Sequence, residues 1–371
     1  MKTKVNTLTY GLFLLLAAQP SLATTCYVNL NNASPMPPYT NWATAATNIQ
    51  DAVDAAMTGD TVLVTNGVYA NGGRAVYGQM TNRVAVNKPL TLLSVNGPAM
   101  TVIVGAAASS GRLGDGAIRC AYVGTNAVFC GFTMTTGYTR AAGDIVREQS
   151  GGGVWCEVSG VVSNCTLIAN QASYYGGGAY SGRLNNCTLA TNVALWKGGG
   201  ASDNVLQECV LNNCTLIGNT AGDAGGGACY AILNYCNLSG NSASGDGGGG
   251  AAFSTLNNCS ITENSATEGG GASGCTLNSC TICSNLASVG GGAFSGTLNN
   301  CTMSGNSAGF GGGASGGTLS HCTLVGNAAS RQGGGGYYGS LNNCILYYNT
   351  APIGAEWKRA VASPPPSKNR T

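Results

Sequence analysis

The chain has 371 residues, including 59 glycines and 17 cysteines, with only 8% charged residues and a formal net charge of +2. Charge this sparse argues against a disordered chain, which is usually polar and highly charged. The lack of a basic cluster excludes an electrostatic footprint for nucleic acid.

The N-terminus has the pattern of a secretory signal peptide over residues 1–23. Lys2 and Lys4 supply the positive start, and the apolar run 10–18 and the small-residue site at 21–23 complete the pattern. The apolar run is shorter than the roughly twenty residues that span a bilayer. We therefore predict a secreted chain, extracellular or at the outer-membrane surface, with no transmembrane segment after cleavage.

The segment 24–150 predicts an N-terminal cap followed by irregular coils. Apolar residues recur at helical spacing between Asn41 and Met57, which predicts one short amphipathic capping helix. Short β-rich runs such as Thr61-Val62-Leu63-Val64 then alternate with Gly or Asn turns. Phe132 and Gly137 keep the five-residue step found later between Cys and Asn, so we interpret Phe132 as an early occupant of the cysteine column.

The segment 151–350 contains nine copies of a unit of about 21 or 22 residues. Each copy has a cysteine, an aliphatic residue two positions later and an asparagine five positions later. The cysteines are Cys165, Cys187, Cys214, Cys236, Cys259, Cys280, Cys301, Cys322 and Cys344. The asparagines are Asn170, Asn192, Asn219, Asn241, Asn264, Asn285, Asn306, Asn327 and Asn349.

This repeat predicts an all-β fold, a single-stranded right-handed parallel β-helix over residues 24–350. Each residue would stack about 4.8 Å from its counterpart in the next coil. The cysteines and the aliphatic residues would then point inward from one face, and the asparagines would form an amide ladder. Leucine-rich repeats have similar periods, but glycine triplets disfavour the helix they would need. The segment 351–371 has no strand signal and is predicted to be a disordered tail.

Two resemblances follow from these motifs. The corner Gly312-Gly313-Ala314 and the step Leu324-Val325-Gly326-Asn327 resemble the Gly-Gly-Ala and Phe-x-x-Asn motifs of chlamydial-type polymorphic outer-membrane proteins, with an aliphatic residue in place of Phe. The segment 49–62 is similar to the opening of pectin-lyase-like right-handed β-helices. The first resemblance implies a surface-exposed adhesion passenger with its own C-terminal barrel. The residues after Asn349 are too few for such a barrel, which takes about eight strands or more. Another export route and a truncated or frame-shifted chain stay open.

One candidate for chemistry is the charged loop 138–150, with one further acid just beyond it. Work on a uronate, which the second resemblance implies, needs such a mixture of acids and bases in one cleft. A solvated loop is the alternative, because surface loops often carry mixed charges. The candidate catalytic residues are Arg140, Asp144, Arg147, Glu148 and Glu157.

A second candidate is a calcium site. Asp223 and Asp246 precede the glycine triplets of consecutive coils, and Glu268 lies one coil further. Stacked carboxylates of this kind hold Ca²⁺ in the pectate-lyase-like enzymes, as the resemblance implies, and oxygen ligands suit calcium. No Lys or Arg lies nearby in the repeat, and Asp before Gly is an ordinary turn pairing. Solvated turn residues are therefore the alternative.

The cysteine column is predicted to be a stack of buried thiols, not a metal array or a disulfide ladder. Parallel Cβ atoms in neighbouring coils stay further apart than the ~3.8 Å usual in a disulfide. We expect the off-column Cys209, Cys229 and Cys275 to be exposed or to form an occasional bridge. The single histidine, His321, is predicted to face outward in a column that is mostly Asn.

We predict a secreted or cell-surface repeat protein that acts as a structural and adhesion module, with no evident catalytic site and no cofactor. The alternative is a carbohydrate-active enzyme, a polysaccharide lyase or glycosidase, which would use Ca²⁺ if the acidic set binds it. A third hypothesis is a polar face that binds polysaccharide without cleaving it. Expected partners are extracellular polysaccharide or a host or neighbouring cell surface.

Overall fold

A computed structural model describes residues 23–109, 111–204, 208–245 and 247–358. The chain winds through four sheets, and the strands of successive coils pair in parallel. Among the named strand pairs, Arg74–Ala75 with Thr81–Val86 is the antiparallel exception. The predicted fold class, a parallel β-helix, is confirmed. The predicted signal peptide and the end of the tail lie outside the described residues.

Each regular coil passes through sheets A, B, D and C in that order. Sheet A has thirteen strands. They are Thr25–Val28, Thr61–Val64, Thr91–Ser94, Val128–Cys130, Val161–Ser163, Gly182–Asn185, Cys209–Asn212, Ala231–Asn234, Thr255–Asn257, Thr276–Asn278, Thr297–Asn299, Thr318–Ser320 and Ser340–Asn342. Sheet B has twelve. They are Gly67–Tyr69, Thr101–Val104, Thr133–Thr135, Thr166–Ile168, Thr188–Ala190, Thr215–Ile217, Asn237–Ser239, Ser260–Thr262, Thr281–Cys283, Thr302–Ser304, Thr323–Val325 and Ile345–Tyr347.

Sheets C and D flank the glycine corner. Sheet C has thirteen strands. They are Arg74–Ala75, Thr81–Val86, Ile118–Val123, Val154–Cys156, Ala179–Tyr180, Ala201–Ser202, Ala228–Cys229, Ala251–Ala252, Ala272–Ser273, Ala293–Phe294, Ala314–Ser315, Gly336–Tyr337 and Trp357–Lys358. Sheet D has eight. They are Gln171–Ala172, Val193–Ala194, Thr220–Ala221, Ser242–Ala243, Ser265–Glu268, Leu286–Val289, Ser307–Phe310 and Ala328–Gln332. The strand Trp357–Lys358 extends the paired chain beyond the predicted boundary at 350.

The N-terminal helix is shorter than the predicted span 41–57. The α-helix is Ile49–Ala55, preceded by the 3-10 helix Trp42–Thr44. Asn48 is extended, with φ −130° and ψ 155°, and its side chain accepts a hydrogen bond from the backbone N–H of Asp51. An asparagine in this position caps the first turn and so sets where the helix begins. The helix packs on strands Thr25–Val28 and Thr81–Val86.

Aliphatic columns fill the interior of the coil. Leu189 of sheet B stacks in register between Leu167 and Leu216, and all three are fully buried. Each such side chain stabilises the fold by about 1.5–3 kcal/mol relative to an exposed one. Phe132 lies directly below Cys165, because its backbone N–H points at the Cys165 sulfur at 3.4 Å and the adjacent Thr133 pairs with Thr166.

All seventeen cysteines are free thiols. In the column, Cys280 donates to the backbone carbonyls of Leu256 and Asn278, each at 3.4 Å. The expectation that the off-column cysteines are exposed or bridged is wrong, since Cys209, Cys229 and Cys275 are buried and free. Their neighbours in adjacent coils are small, such as Ala252 beside Cys229, and a thiol fits such gaps in the packing.

The buried asparagines form a continuous amide ladder. The Asn264 amide nitrogen donates to the Asn285 side-chain oxygen and to the Leu238 carbonyl, both at 3.0 Å. The Asn264 oxygen accepts from the backbone N–H and the amide of Asn241, both at 2.9 Å. A second, half-exposed ladder runs along sheet A from Asn185 to Asn299, two residues before six of the nine column cysteines. There Asn278 donates to Asn257 at 2.9 Å.

The corners need left-handed backbone. The residue before each column cysteine has positive φ, for example 55° at Asn300 and at His321, which explains why asparagine dominates this position. His321 is exposed and contacts Asn343 at 3.3 Å. At the glycine corner, Gly269 has φ +63°, and a Cβ on Gly270 would lie 2.4 Å from the Leu286 carbonyl oxygen. Only glycine allows coils to approach this closely.

Candidate functional site

A buried arginine, Arg119, supports the charged loop 138–150, and it was not among the residues predicted from the sequence. Arg119, in strand Ile118–Val123, donates to the carbonyls of Gly151, Arg147 and Ser150 at 2.8, 2.8 and 2.7 Å. It also donates to the Asn82 side-chain oxygen at 2.9 Å. Burial lowers the pKa of Arg119 to about 9. Four uncharged acceptors thus hold the guanidinium and fix the end of the loop.

Glu148 ties the other side of the loop. Its carboxylate accepts from the backbone N–H groups of Gln79 at 2.8 Å and Asp144 at 2.9 Å, and it pairs with Arg140. Arg140 also bonds Asp115 at 2.6 Å. The two backbone N–H groups, followed by Arg140, hold the pKa of Glu148 below its usual value. Two of the five predicted residues, Arg140 and Glu148, therefore contact other parts of the loop and its support.

The other three predicted residues line one cleft under the loop. Asp144, Arg147 and Glu157 share it with two aromatic side chains and a valine, and its volume is about 360 Å³. The three charged groups come from the loop and from the turn after strand Val154–Cys156, and the fold brings them together. The lining residues are Tyr77, Asp144, Val146, Arg147, Trp155 and Glu157.

A stack of buried aromatic rings includes Trp155, one of the residues that line this loop cleft. Trp155 is stacked between Tyr122 and Tyr180, with ring centroids 5.6 and 5.7 Å away. Tyr77 meets Trp155 edge-on at 5.6 Å. The Arg147 guanidinium lies 4.5 Å from the centre of the Tyr77 ring, a cation–π distance. These rings were not predicted from the sequence, although Tyr122, Trp155 and Tyr180 occupy equivalent positions in consecutive coils.

Hydrogen bonds orient the polar groups of the cleft. The Glu157 carboxylate accepts from the hydroxyls of Tyr77 at 2.8 Å and Tyr122 at 3.0 Å. Burial raises the pKa of Tyr122, and the bonds with Tyr77 and Glu157 act in the same direction, so its phenol stays a donor. The Asp144 carboxylate accepts from the backbone N–H groups of Val146 and Arg147 at 2.9 and 2.7 Å. The cleft therefore offers an apolar ring face beside fixed donors and acceptors.

Two of the three predicted calcium ligands, Asp223 and Glu268, lie in the described residues. The Asp223 carboxylate lies 3.6 Å from the Lys197 ammonium, so the expectation of no nearby cation is wrong. Lys197 belongs to the preceding coil, which sequence distance hides. Glu268 is the last residue of the strand Ser265–Glu268 and directly precedes the glycine corner. Asp246 lies outside the described residues. Among the residues described, no group of three or more His, Cys, Asp or Glu could hold a metal ion.

Comparisons with known proteins give fold-level similarity only. No protein-family model and no curated protein matches the chain. Solved structures that are similar include the pectate lyase Pel9A, at 14% identity and TM-score 0.42, covering 89% of this chain and 78% of that one. A rhamnogalacturonan lyase gives 11% and 0.40, covering 91% and 87%. The Dettilon tailspike protein gives 10% and 0.40, covering 91% and 68%.

At these identities, nothing about those proteins' activities is carried to this chain. The resemblance to polymorphic outer-membrane proteins stays a prediction, since no family model matches. Over the ranges that the structure describes, no helix has both the length and the apolar character to cross a membrane.

Proposed function

We propose that the chain is an extracellular structural and adhesion module that attaches by binding carbohydrate in the loop cleft. The observation behind this proposal is the pairing of the Tyr77 and Trp155 rings with Asp144, Arg147 and Glu157 in one cleft. Ligand sites are typically concave and place a few fixed polar groups beside aromatic or apolar side chains; this cleft contains both kinds of side chain, and its accessible surface is mainly polar. Secretion through the signal peptide 1–23 is part of the proposal.

The chemistry of a sugar ring fits the cleft. A pyranose has an apolar face of C–H groups, which packs on an aromatic ring, and a rim of hydroxyls that donate and accept hydrogen bonds. The Tyr77 ring is partly exposed and carries the Arg147 guanidinium over one face, so a sugar would pack against the remaining exposed part of the ring, while Arg147 and Asp144 are exposed at the rim. The loop is held by Arg119 and Glu148, so little conformational entropy is lost when a ligand binds.

Binding of the secreted chain to a panel of insoluble polysaccharides tests the proposal. We expect Tyr77→Ala and Arg147→Ala to weaken retention about tenfold, which corresponds to about 1.4 kcal/mol. Tyr77→Phe, which keeps the ring and removes the bond to Glu157, should lose less. The control is Arg183→Ala, an exposed arginine in strand Gly182–Asn185 of sheet A. Equal retention of the cleft variants and the wild type contradicts the proposal.

A polysaccharide lyase or glycosidase is the second candidate. The observation that favours it is the Glu157 carboxylate, which accepts from two phenols and shares the cleft with Arg147. A positioned acid and base are what proton transfer to or from a sugar requires. The same polysaccharides, incubated with and without Ca²⁺ and assayed for unsaturated or reducing ends, decide the matter. Turnover that disappears in Glu157→Gln would make the chain an enzyme.

A further inference from the structure

A second cavity lies further along the same side of the coil, around Lys197. Its volume is about 210 Å³, and Asp223 and Phe253 are among its lining residues. The Lys197 ammonium lies 5.8, 5.2 and 5.4 Å from the ring centres of Trp196, Tyr230 and Phe253. It also bonds the Tyr230 hydroxyl at 3.2 Å. One cation thus touches three rings that come from three consecutive coils.

Two of these rings are open to solvent. Trp196 is 41% and Phe253 47% exposed, and Leu195 beside them is 53% exposed. Phe253 and Tyr230 are stacked at 5.3 Å with an interplanar angle of 18°. Exposed apolar patches rimmed by polar groups often mark ligand-binding surfaces. The rim here is the Lys197–Asp223 ion pair at 3.6 Å.

Ring contacts connect this cavity to the loop cleft. Trp155 stacks on Tyr180 at 5.7 Å, and Tyr180 meets Tyr175 at 6.2 Å. Tyr175 touches Tyr174 at 4.7 Å, and Tyr174 lies 5.8 Å from Trp196. In strand register, Trp155 is four coils from Ala252, the neighbour of Phe253. Trp196 precedes the strand Ala201–Ser202, two coils from Trp155, so at about 4.8 Å per coil the second cavity extends from about 10 Å to about 19 Å from Trp155 along the axis.

The charges at the two sites favour one class of sugar. The lining of the loop cleft has two carboxylates and one guanidinium, Asp144, Glu157 and Arg147. Lys197 and Asp223 cancel at the second cavity, so the charged groups described at the two sites have an excess of one negative charge. A chain of uronates would be repelled, whereas a neutral chain would not be and an amino-sugar chain would be attracted.

We propose that Trp196, Lys197, Tyr230 and Phe253 form a second carbohydrate subsite, and that one neutral or amino-sugar polymer spans it and the loop cleft. This rests on the proposed function, because the cleft supplies the other end of the site. Two linked contacts on one polymer strengthen binding without any new contact in either site. Affinity should therefore rise steeply once an oligosaccharide is long enough to reach both.

Calorimetric titration with trisaccharides and hexasaccharides tests this proposal. The probes are cellulose and chitosan oligomers and oligogalacturonate, each with Ca²⁺ and with EDTA. We expect Phe253→Ala, at the far end of the second cavity, to weaken binding of the hexamer about tenfold and to leave the trimer unchanged, whereas Tyr77→Ala weakens both. Lys197→Met removes the ion pair with Asp223 and keeps the three aromatic rings, so it distinguishes the contribution of the charge from that of the rings. Tyr348→Ala, an exposed aromatic at the last coil, is the matched control and should bind like wild type.

The outcomes separate the two proposals. Trimer and hexamer binding that depends on Tyr77 but not on Phe253 overturns the second subsite and leaves the proposed function standing. Tighter binding of oligogalacturonate than of the neutral hexamer in EDTA overturns the charge argument. If no oligosaccharide binds at all, the proposed function fails and the second subsite fails with it.

Discussion

Replacing one buried asparagine tests how much the amide ladder contributes to stability. Asn264→Ala removes four hydrogen bonds, two donated to Asn285 and Leu238 and two accepted from Asn241. At about 1 kcal/mol net for each bond, the free energy of unfolding should fall by about 4 kcal/mol. The loss should be large because the site is buried and water cannot replace the missing partners.

Urea unfolding followed by circular dichroism gives the magnitude, and hydrogen exchange at the backbone N–H of Asn241 gives the location. The matched control is Asn257→Ala in the half-exposed ladder, which removes two bonds to Asn234 and Asn278. Water can take their place, so the expected loss is below about 1 kcal/mol. Equal losses for the two variants, or a loss below about 1 kcal/mol at Asn264, would refute the role given to the buried ladder.

Three further predictions concern the loop and the thiols. Arg119→Met should lower the free energy of unfolding by about 3–5 kcal/mol, at about 1 kcal/mol or more for each of the four uncharged acceptors that lose their donor, and limited proteolysis should then cut within 138–150; an uncut loop would contradict this. The fold lowers the pKa of Glu148, so the contribution of this carboxylate to stability is present above its unfolded pKa of about 4.3 and is lost as pH falls through the folded value. Proteolysis of the loop should therefore rise below about pH 4, and Glu148→Gln should remove that pH dependence. Burial raises the pKa of thiols such as Cys165 to about 12, so little thiolate forms near neutral pH. A thiol reagent should therefore modify native protein fastest at the three partly exposed cysteines, and rapid reaction of all seventeen would contradict the buried column; the three are Cys130, Cys283 and Cys344.

The columns of the fold could be predicted because each is repeated nine times at one spacing. Leu189, Cys187 and Asn192 are each defined by their counterparts one coil away, and the stacking register follows from the period alone. The half-exposed ladder through Asn257 is also visible in the repeat, where an asparagine lies two residues before seven of the nine column cysteines and a serine before the other two. This ladder was not predicted because the residue that follows Asn257 is also an asparagine. Only the backbone angles distinguish the two positions.

The candidate site could be predicted only in part. Its charged loop stands out in a chain with so few charges, and Asp144, Arg147 and Glu157 were named. The contact of Tyr77 with Trp155 could not be predicted, because Tyr77 lies in an irregular coil outside the repeat. Lys197 and Asp223 are distant in the sequence because they belong to neighbouring coils. They lie close together only because those coils stack in register. Side-chain contacts between coils depend on corner geometry, which the period does not encode.

Whether the loop cleft binds carbohydrate can be seen in the crystal structure of the complex with the tightest-binding oligosaccharide. We expect a sugar ring against Tyr77, with hydroxyls in hydrogen-bond contact with Arg147, Asp144 or Glu157. An oligosaccharide seated instead on the outer face of sheet B, with the cleft unfilled, would contradict it.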